Sequence, residues 1–94
     1  MSGMVAGEPE RLPPPPFWRT RYFAFVVMAK PGRRKIDPLA IKAILASPAR
    51  RQREPNGRVR FWGWDTDLST WIRVVTLEDG ETVHNAFEDQ DFVP

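Results

Sequence analysis

No cysteine occurs among the 94 residues, which excludes a disulfide framework and any thiolate metal site and fits a reducing compartment. The single histidine is His84. A metal centre would therefore have to be completed by carboxylates such as Asp65, Asp67, Glu88, Asp89 and Asp91, and the Asp65-Thr66-Asp67 step lacks the ligands that follow it in a calcium loop. No metal and no cofactor are expected. A glycine-rich phosphate loop, a GxSxG elbow and a dinucleotide fingerprint are all missing, as is any internal repeat, so nucleotide-dependent catalysis is not expected. The longest apolar run, Tyr22 to Ala29, is too short to span a bilayer. Glu8 and Glu10 precede any apolar block and no basic n-region comes first, so the chain is expected to be soluble and cytoplasmic, with no membrane partner.

What is present is a polarised charge. The formal net charge is only +2, yet twelve of the fourteen Lys and Arg residues lie between Arg19 and Arg60, against two acids, Asp37 and Glu54. Eight of the twelve acids follow Trp62. A small domain divided in this way meets a polyanion or an oppositely polarised protein. Fewer than about eighty residues are left to form a core once a leader is set aside, a size that a homodimer or a bound partner would support.

The segment up to Pro16 reads as that leader. It is expected to be disordered, with four consecutive prolines favouring extended polyproline II structure, and residues 17 to 94 then form a single domain. A helix follows from about Pro38 to Ala46. Asp37 is a good N-cap, Pro38 suits the first helical position, and Ile36 with Ile41 makes a hydrophobic staple. Ile41, Ile44 and Leu45 place one apolar stripe on a sheet, Lys42 faces out, and Ser47-Pro48 ends the helix. Pro55-Asn56-Gly57 is a turn, Arg58 to Trp64 and Trp71 to Leu77 alternate, and Glu78-Asp79-Gly80-Glu81 is a hairpin signal before Thr82 to Phe87. Arg21 to Met28 is apolar on both faces, which suits a buried strand or a buried helix. The expected fold class is α+β, a small antiparallel sheet made of a three-strand C-terminal meander, with an N-terminal strand as an option, packed on one short helix.

Register carries the functional reading. An Asp79-Gly80 loop pairs Leu77 with Thr82, Val75 with His84 and Arg73 with Ala86, while the polar loop after Trp64 pairs Trp62 with Arg73 and Arg60 with Val75. One face then holds Val59, Phe61, Ile72, Val74, Val83 and Phe87, a seat for the helix. The other holds Arg58, Arg60, Trp62, Trp64, Trp71, Arg73 and His84. Arginines and tryptophans mixed on a sheet face suit phosphates and stacked bases, although the tryptophans suit core or dimer contacts as well. Attack of a ribose 2′-hydroxyl on its phosphate needs an acid and a base near neutral pKa and fixed positive charge. His84 fits the first role, or that of a structural hydrogen-bonder; Arg60 and Arg73 fit the second.

Ile41-Lys-Ala-Ile-Leu-Ala-Ser-Pro48, Gly57-Arg-Val-Arg-Phe-Trp-Gly-Trp64 and Trp71-Ile-Arg-Val-Val-Thr-Leu-Glu-Asp-Gly-Glu-Thr-Val-His84 resemble the helix, hairpin and final strand of small bacterial toxin-like domains of the BrnT and RelE-like group and its allied families of unknown function. The resemblance covers about half the chain. It implies metal-independent cleavage of RNA, neutralisation by an acidic antitoxin protein, and a site at Arg60, Arg73 and His84. Relatives often begin with a His- and Arg-containing helix, whereas Arg19-Thr-Arg-Tyr-Phe-Ala-Phe-Val-Val-Met28 has no histidine, and a toxin fold without its site can persist as a binding module. The densest basic run, Lys30-Pro-Gly-Arg33-Arg34-Lys35, is either a solvated loop or a contact for phosphate or an acidic antitoxin. Two functions follow: a metal-independent endoribonuclease of toxin-antitoxin type using His84, Arg73 and Arg60, or a non-enzymatic binding module for nucleic acid or an acidic partner. Arg58, Trp62, Lys30, Arg33, Arg34 and Lys35 are the nucleic-acid-binding candidates in either case.

Overall fold

A computed structural model describes residues 11 to 94. The sheet has six strands in the order β1-β2-β6-β5-β4-β3, with β1 at Arg11–Leu12, β2 at Arg19–Thr20, β3 at Arg50–Arg53, β4 at Val59–Asp65, β5 at Thr70–Thr76 and β6 at Val83–Glu88. It is mixed, because β2 runs parallel to β6 while the other neighbours are antiparallel. Two short helices, α1 at Arg21–Phe25 and α2 at Pro38–Ala46, complete a small α+β fold with two single turns of 3₁₀ helix between them. The expectation of a three-strand meander on one helix is thereby corrected. Among the described residues no helix is long and apolar enough to cross a membrane.

Each addition has a local cause. Arg11 and Leu12, within the segment read as a disordered leader, pair with Thr20 and Arg19. The prolines between them have no N–H to give a ladder, so the Arg19 guanidinium instead donates to the carbonyls of Pro13, Pro15 and Phe17. The rest of the leader, residues 1 to 10, lies outside the described residues. Strand β3 is Arg-Arg-Gln-Arg, exposed throughout. It carries no apolar alternation because it is an edge strand, where charge protects against further pairing.

The segment Arg21 to Met28 resolves as helix, not strand. Thr20 caps α1 by accepting from the Phe23 N–H at 3.0 Å, and Phe23 and Val27 turn inward while Tyr22, Phe25 and Val26 stay exposed. Helix α2 forms where the sequence places it. The Asp37 carboxylate accepts from the Leu39 N–H at 2.8 Å, Pro38 begins the helix, and the staple residues Ile36 and Ile41 are both fully buried. Gly63 lets α2 approach β4: a Cβ there would lie 2.4 Å from Ile44.

The register between β4 and β5 is the expected one, with Trp62 opposite Arg73 and Arg60 opposite Val75. Between β5 and β6 it holds only at the turn, where the Leu77 N–H donates to the Thr82 carbonyl. One step along β5, from Val75 to Thr76, spans two along β6, from Asn85 to Val83, so His84 is the extra residue of a β-bulge. Val75 therefore pairs with Asn85 rather than His84, and Arg73 with Phe87 rather than Ala86. A single inserted residue reverses the faces beyond it. Ala86 enters the core in place of Phe87, joining Val59, Phe61, Ile72, Val74 and Val83 under the helices.

Candidate nucleic-acid interface

The face of the sheet turned away from α2 is built from cross-strand rows, since residues directly opposite share a face. Arg50, Trp62, Arg73 and Phe87 form one row, and Gln52, Arg60, Val75 and Asn85 the next. Trp64 and Trp71 stand opposite each other beyond the first, with ring centroids 5.4 Å apart. Trp62 and Val75 are buried, yet neither belongs to the core cluster on the helix side. This is a second, aromatic layer. Arg73 lies over both Trp62 and Phe87, at 5.6 and 5.0 Å from the ring centroids.

Carboxylates already occupy two of its arginines. Arg60 donates through Nε to Glu54, and Arg73 donates to Asp89 Oδ2 through Nε at 3.1 Å and Nη2 at 2.8 Å. The Trp62 indole N–H donates to the same Asp89 oxygen at 2.9 Å. Burial works to raise the pKa of Asp89, but Trp62, Arg73 and the Asp91 backbone outweigh it and hold the carboxyl below 3.8. Three residues on, the Phe92 ring stacks nearly parallel on Trp62 at 5.0 Å and meets Trp71 edge-on at 4.9 Å. The Arg50 guanidinium lies 5.1 Å from the Phe92 ring centroid. Trp62, read from the sequence as an open stacking platform or a core residue, is thus covered by the chain's own last segment.

His84 sits at the bulge beside α1. Its Nδ1 is 2.9 Å from the Thr20 hydroxyl, and its ring stacks on Tyr22 at 4.8 Å. Thr20 is fully buried and its oxygen also accepts from the Phe23 N–H, and its remaining lone pair and proton let it either accept from or donate to Nδ1 according to the tautomer of the imidazole. Burial, and then the charge of Arg58, depress the pKa below 6.5 and favour the neutral form.

The expected trio of His84, Arg73 and Arg60 is not gathered around one point. Phe87, which pairs with Arg73, is three residues along β6 from His84, a separation of about 10 Å, and Arg60 is two strand spacings away, again about 10 Å. Arg58 is the cation next to His84 and, among the described residues, has no carboxylate partner. Of the basic run, Arg33 donates through Nε to the Ala86 carbonyl at 2.8 Å, closing the edge of β6 that the two-residue β2 leaves open, and lies 5.5 Å from the Phe87 ring. Lys35 pairs with Glu88 at 2.9 Å and Lys30 is exposed. The side chain of Arg34 lies outside the described residues. No group of three His, Asp or Glu side chains that could hold a metal occurs among the described residues.

Several contributors are missing from the sequence reading. Arg50 reaches the interface only because β3 pairs with β4, while Arg51 and Arg53 lie opposite Phe61 and Val59 on the other face, and the sole signal for that pairing is the turn at Pro55-Asn56-Gly57, which demands a strand on its other side. Asp89 and Phe92 follow the last alternating segment and carry no pattern at all. Compared with family models, curated proteins and solved structures, the chain matches none.

Proposed function

We propose that this protein is a non-enzymatic binding module for nucleic acid, single-stranded RNA in the first place, held on the sheet face that carries Arg50, Arg58, Trp62, Trp64 and Arg73. The observation that supports it is the row Arg50–Trp62–Arg73–Phe87, in which cations and rings alternate across all four strands from β3 to β6. Single strands are bound by this combination, positive groups tracking the phosphates and rings stacking with bases, without a demand for exact sequence. The exposed arginines of β3 extend the positive field to the sheet edge.

Binding is favoured over cleavage by the state of the proposed catalytic groups. His84 engages Thr20 through Nδ1, and the two arginines proposed to act with it, Arg60 and Arg73, stand about 10 Å along the sheet from it, each in an ion pair. One observation favours the metal-independent endoribonuclease as a second reading: a neutral imidazole stands beside the uncompensated Arg58.

The test is fluorescence anisotropy of a labelled single-stranded RNA at several salt concentrations, in EDTA, with the RNA then examined for fragments. Affinity should fall with salt by about 0.7 log units per log unit of salt for each phosphate engaged, with the RNA intact. The charge reversal Arg58→Glu should weaken binding while leaving the fold unchanged. Binding indifferent to salt would sink the proposal, and cleavage by wild type that His84→Ala abolishes would replace it with the second reading.

A further inference from the structure

The donors that hold Asp89 have the character of an anion site. Arg73 Nε, Arg73 Nη2 and Trp62 Nε1, from two neighbouring strands, converge on one oxygen, Asp89 Oδ2. An arginine fork with a third donor suits a non-bridging phosphate oxygen as well as a carboxylate. Next to it, Phe92 stacks on Trp62 with 13° between the ring planes, and the Arg50 guanidinium lies 5.1 Å from the Phe92 ring centroid. A nucleobase stacked on a tryptophan with an arginine beside it would lie in the same way. The turn from Asp89 to Phe92 is held by few bonds of its own, the Asp91 N–H to Asp89 Oδ1 at 3.3 Å and the Phe92 N–H to the Asp89 carbonyl at 3.4 Å.

We infer that Trp62, Arg73 and Arg50 form a nucleotide subsite, a phosphate at the Arg73 fork and a base on Trp62, and that Asp89 and Phe92 occupy it as an intramolecular mimic. The inference rests on the proposed binding of single-stranded RNA and identifies where one nucleotide of it is held. RNA enters by displacing the carboxylate and ring together, so the segment competes with the ligand and lowers its apparent affinity by the fraction of molecules in which the site is closed.

Phe92→Ala removes the base mimic and leaves every donor in place. Its affinity for a labelled single-stranded RNA should rise by about tenfold, the order of one base stacked on an aromatic side chain. Asp89→Ala leaves the fork and the indole N–H without an acceptor, and inorganic phosphate should then raise its Tm while leaving that of the wild type unchanged. In the full wild-type chain, RNA should shift the backbone amide of Phe92 toward the position of a freely moving residue. Equal affinity of wild type and Phe92→Ala, with Phe92 undisturbed by bound RNA, would overturn the subsite while leaving RNA binding elsewhere on the face intact. Failure of both proteins to bind RNA would overturn the two together.

Discussion

Thr20 performs two tasks with one hydroxyl, accepting from the first turn of α1 and sharing a hydrogen bond with His84 Nδ1. Thr20→Val keeps the shape and removes both. The cap loss should cost about 1 kcal/mol in denaturant unfolding, while the pKa of His84, followed by NMR, should stay below 6.5 because burial and then Arg58 depress it. A rise toward 6.5 would show that the Thr20 hydroxyl also holds the ring neutral. Because the folded pKa of His84 lies below its unfolded value, the neutral ring contributes stability in full above about pH 6.5, and that contribution is lost as pH falls through the folded pKa. Asp89 follows the same sign at lower pH: its contribution is present above 3.8 and lost as acid protonates the carboxylate facing Trp62 and Arg73. Unfolding measured against pH should therefore show two separate losses of stability on the acid side, the first removed in His84→Ala.

At the scale of elements, the seat of α2 on β4 depends on Gly63. Gly63→Ala would push a methyl group into Ile44 and should destabilise the fold by about 1 to 3 kcal/mol, read from the urea midpoint at unchanged slope. Helix α2 was legible in the sequence because each of its signals is local: the Asp37 cap, Pro38, the Ile36 and Ile41 staple and the Ser47-Pro48 stop. The β4–β5 register was legible for a related reason, since alternating residues on both sides of a polar loop leave one pairing that buries Val59, Phe61, Ile72 and Val74 together. Strand β6 was not. A bulge inserts one residue without any marker in residue type, and its effect, the exchange of Phe87 for Ala86 in the core, is a tertiary choice that favours the smaller side chain under α1 and α2. Strand β3 escaped because edge strands are identified by their partner rather than by their own pattern. Helix α1 escaped because five residues are too few for a helical period to separate from a buried strand.

For the molecule as a whole, the division of charge along the chain turns out to be partly consumed within the fold. The acidic final third supplies Asp79 to Arg11, Glu88 to Lys35 and Asp89 to Arg73, while Glu54 takes Arg60. Composition makes the chain polarised; pairing decides which cations still face outward. Arg50, Arg51, Arg53 and Arg58 have no carboxylate partner among the described residues, and they cluster on β3 and at the end of the turn that leads into β4. The candidate face was legible as a face, because strand alternation groups Arg58, Arg60, Trp62 and Arg73. Its occupancy was not, because Glu54, Asp89 and Phe92 reach it by turns in the chain that no spacing rule describes.

The most direct test of nucleic-acid binding on this face is an NMR titration of the ¹⁵N-labelled protein with single-stranded RNA, following the four tryptophan indole N–H signals. Trp62, Trp64 and Trp71 line the face, whereas Trp18 lies under Arg11 at the opposite edge of the sheet. The expected result is movement of the first three with Trp18 stationary, and recovery of the free positions as salt is raised. Bound RNA that moves only Trp18, or leaves all four indoles in place, would contradict it.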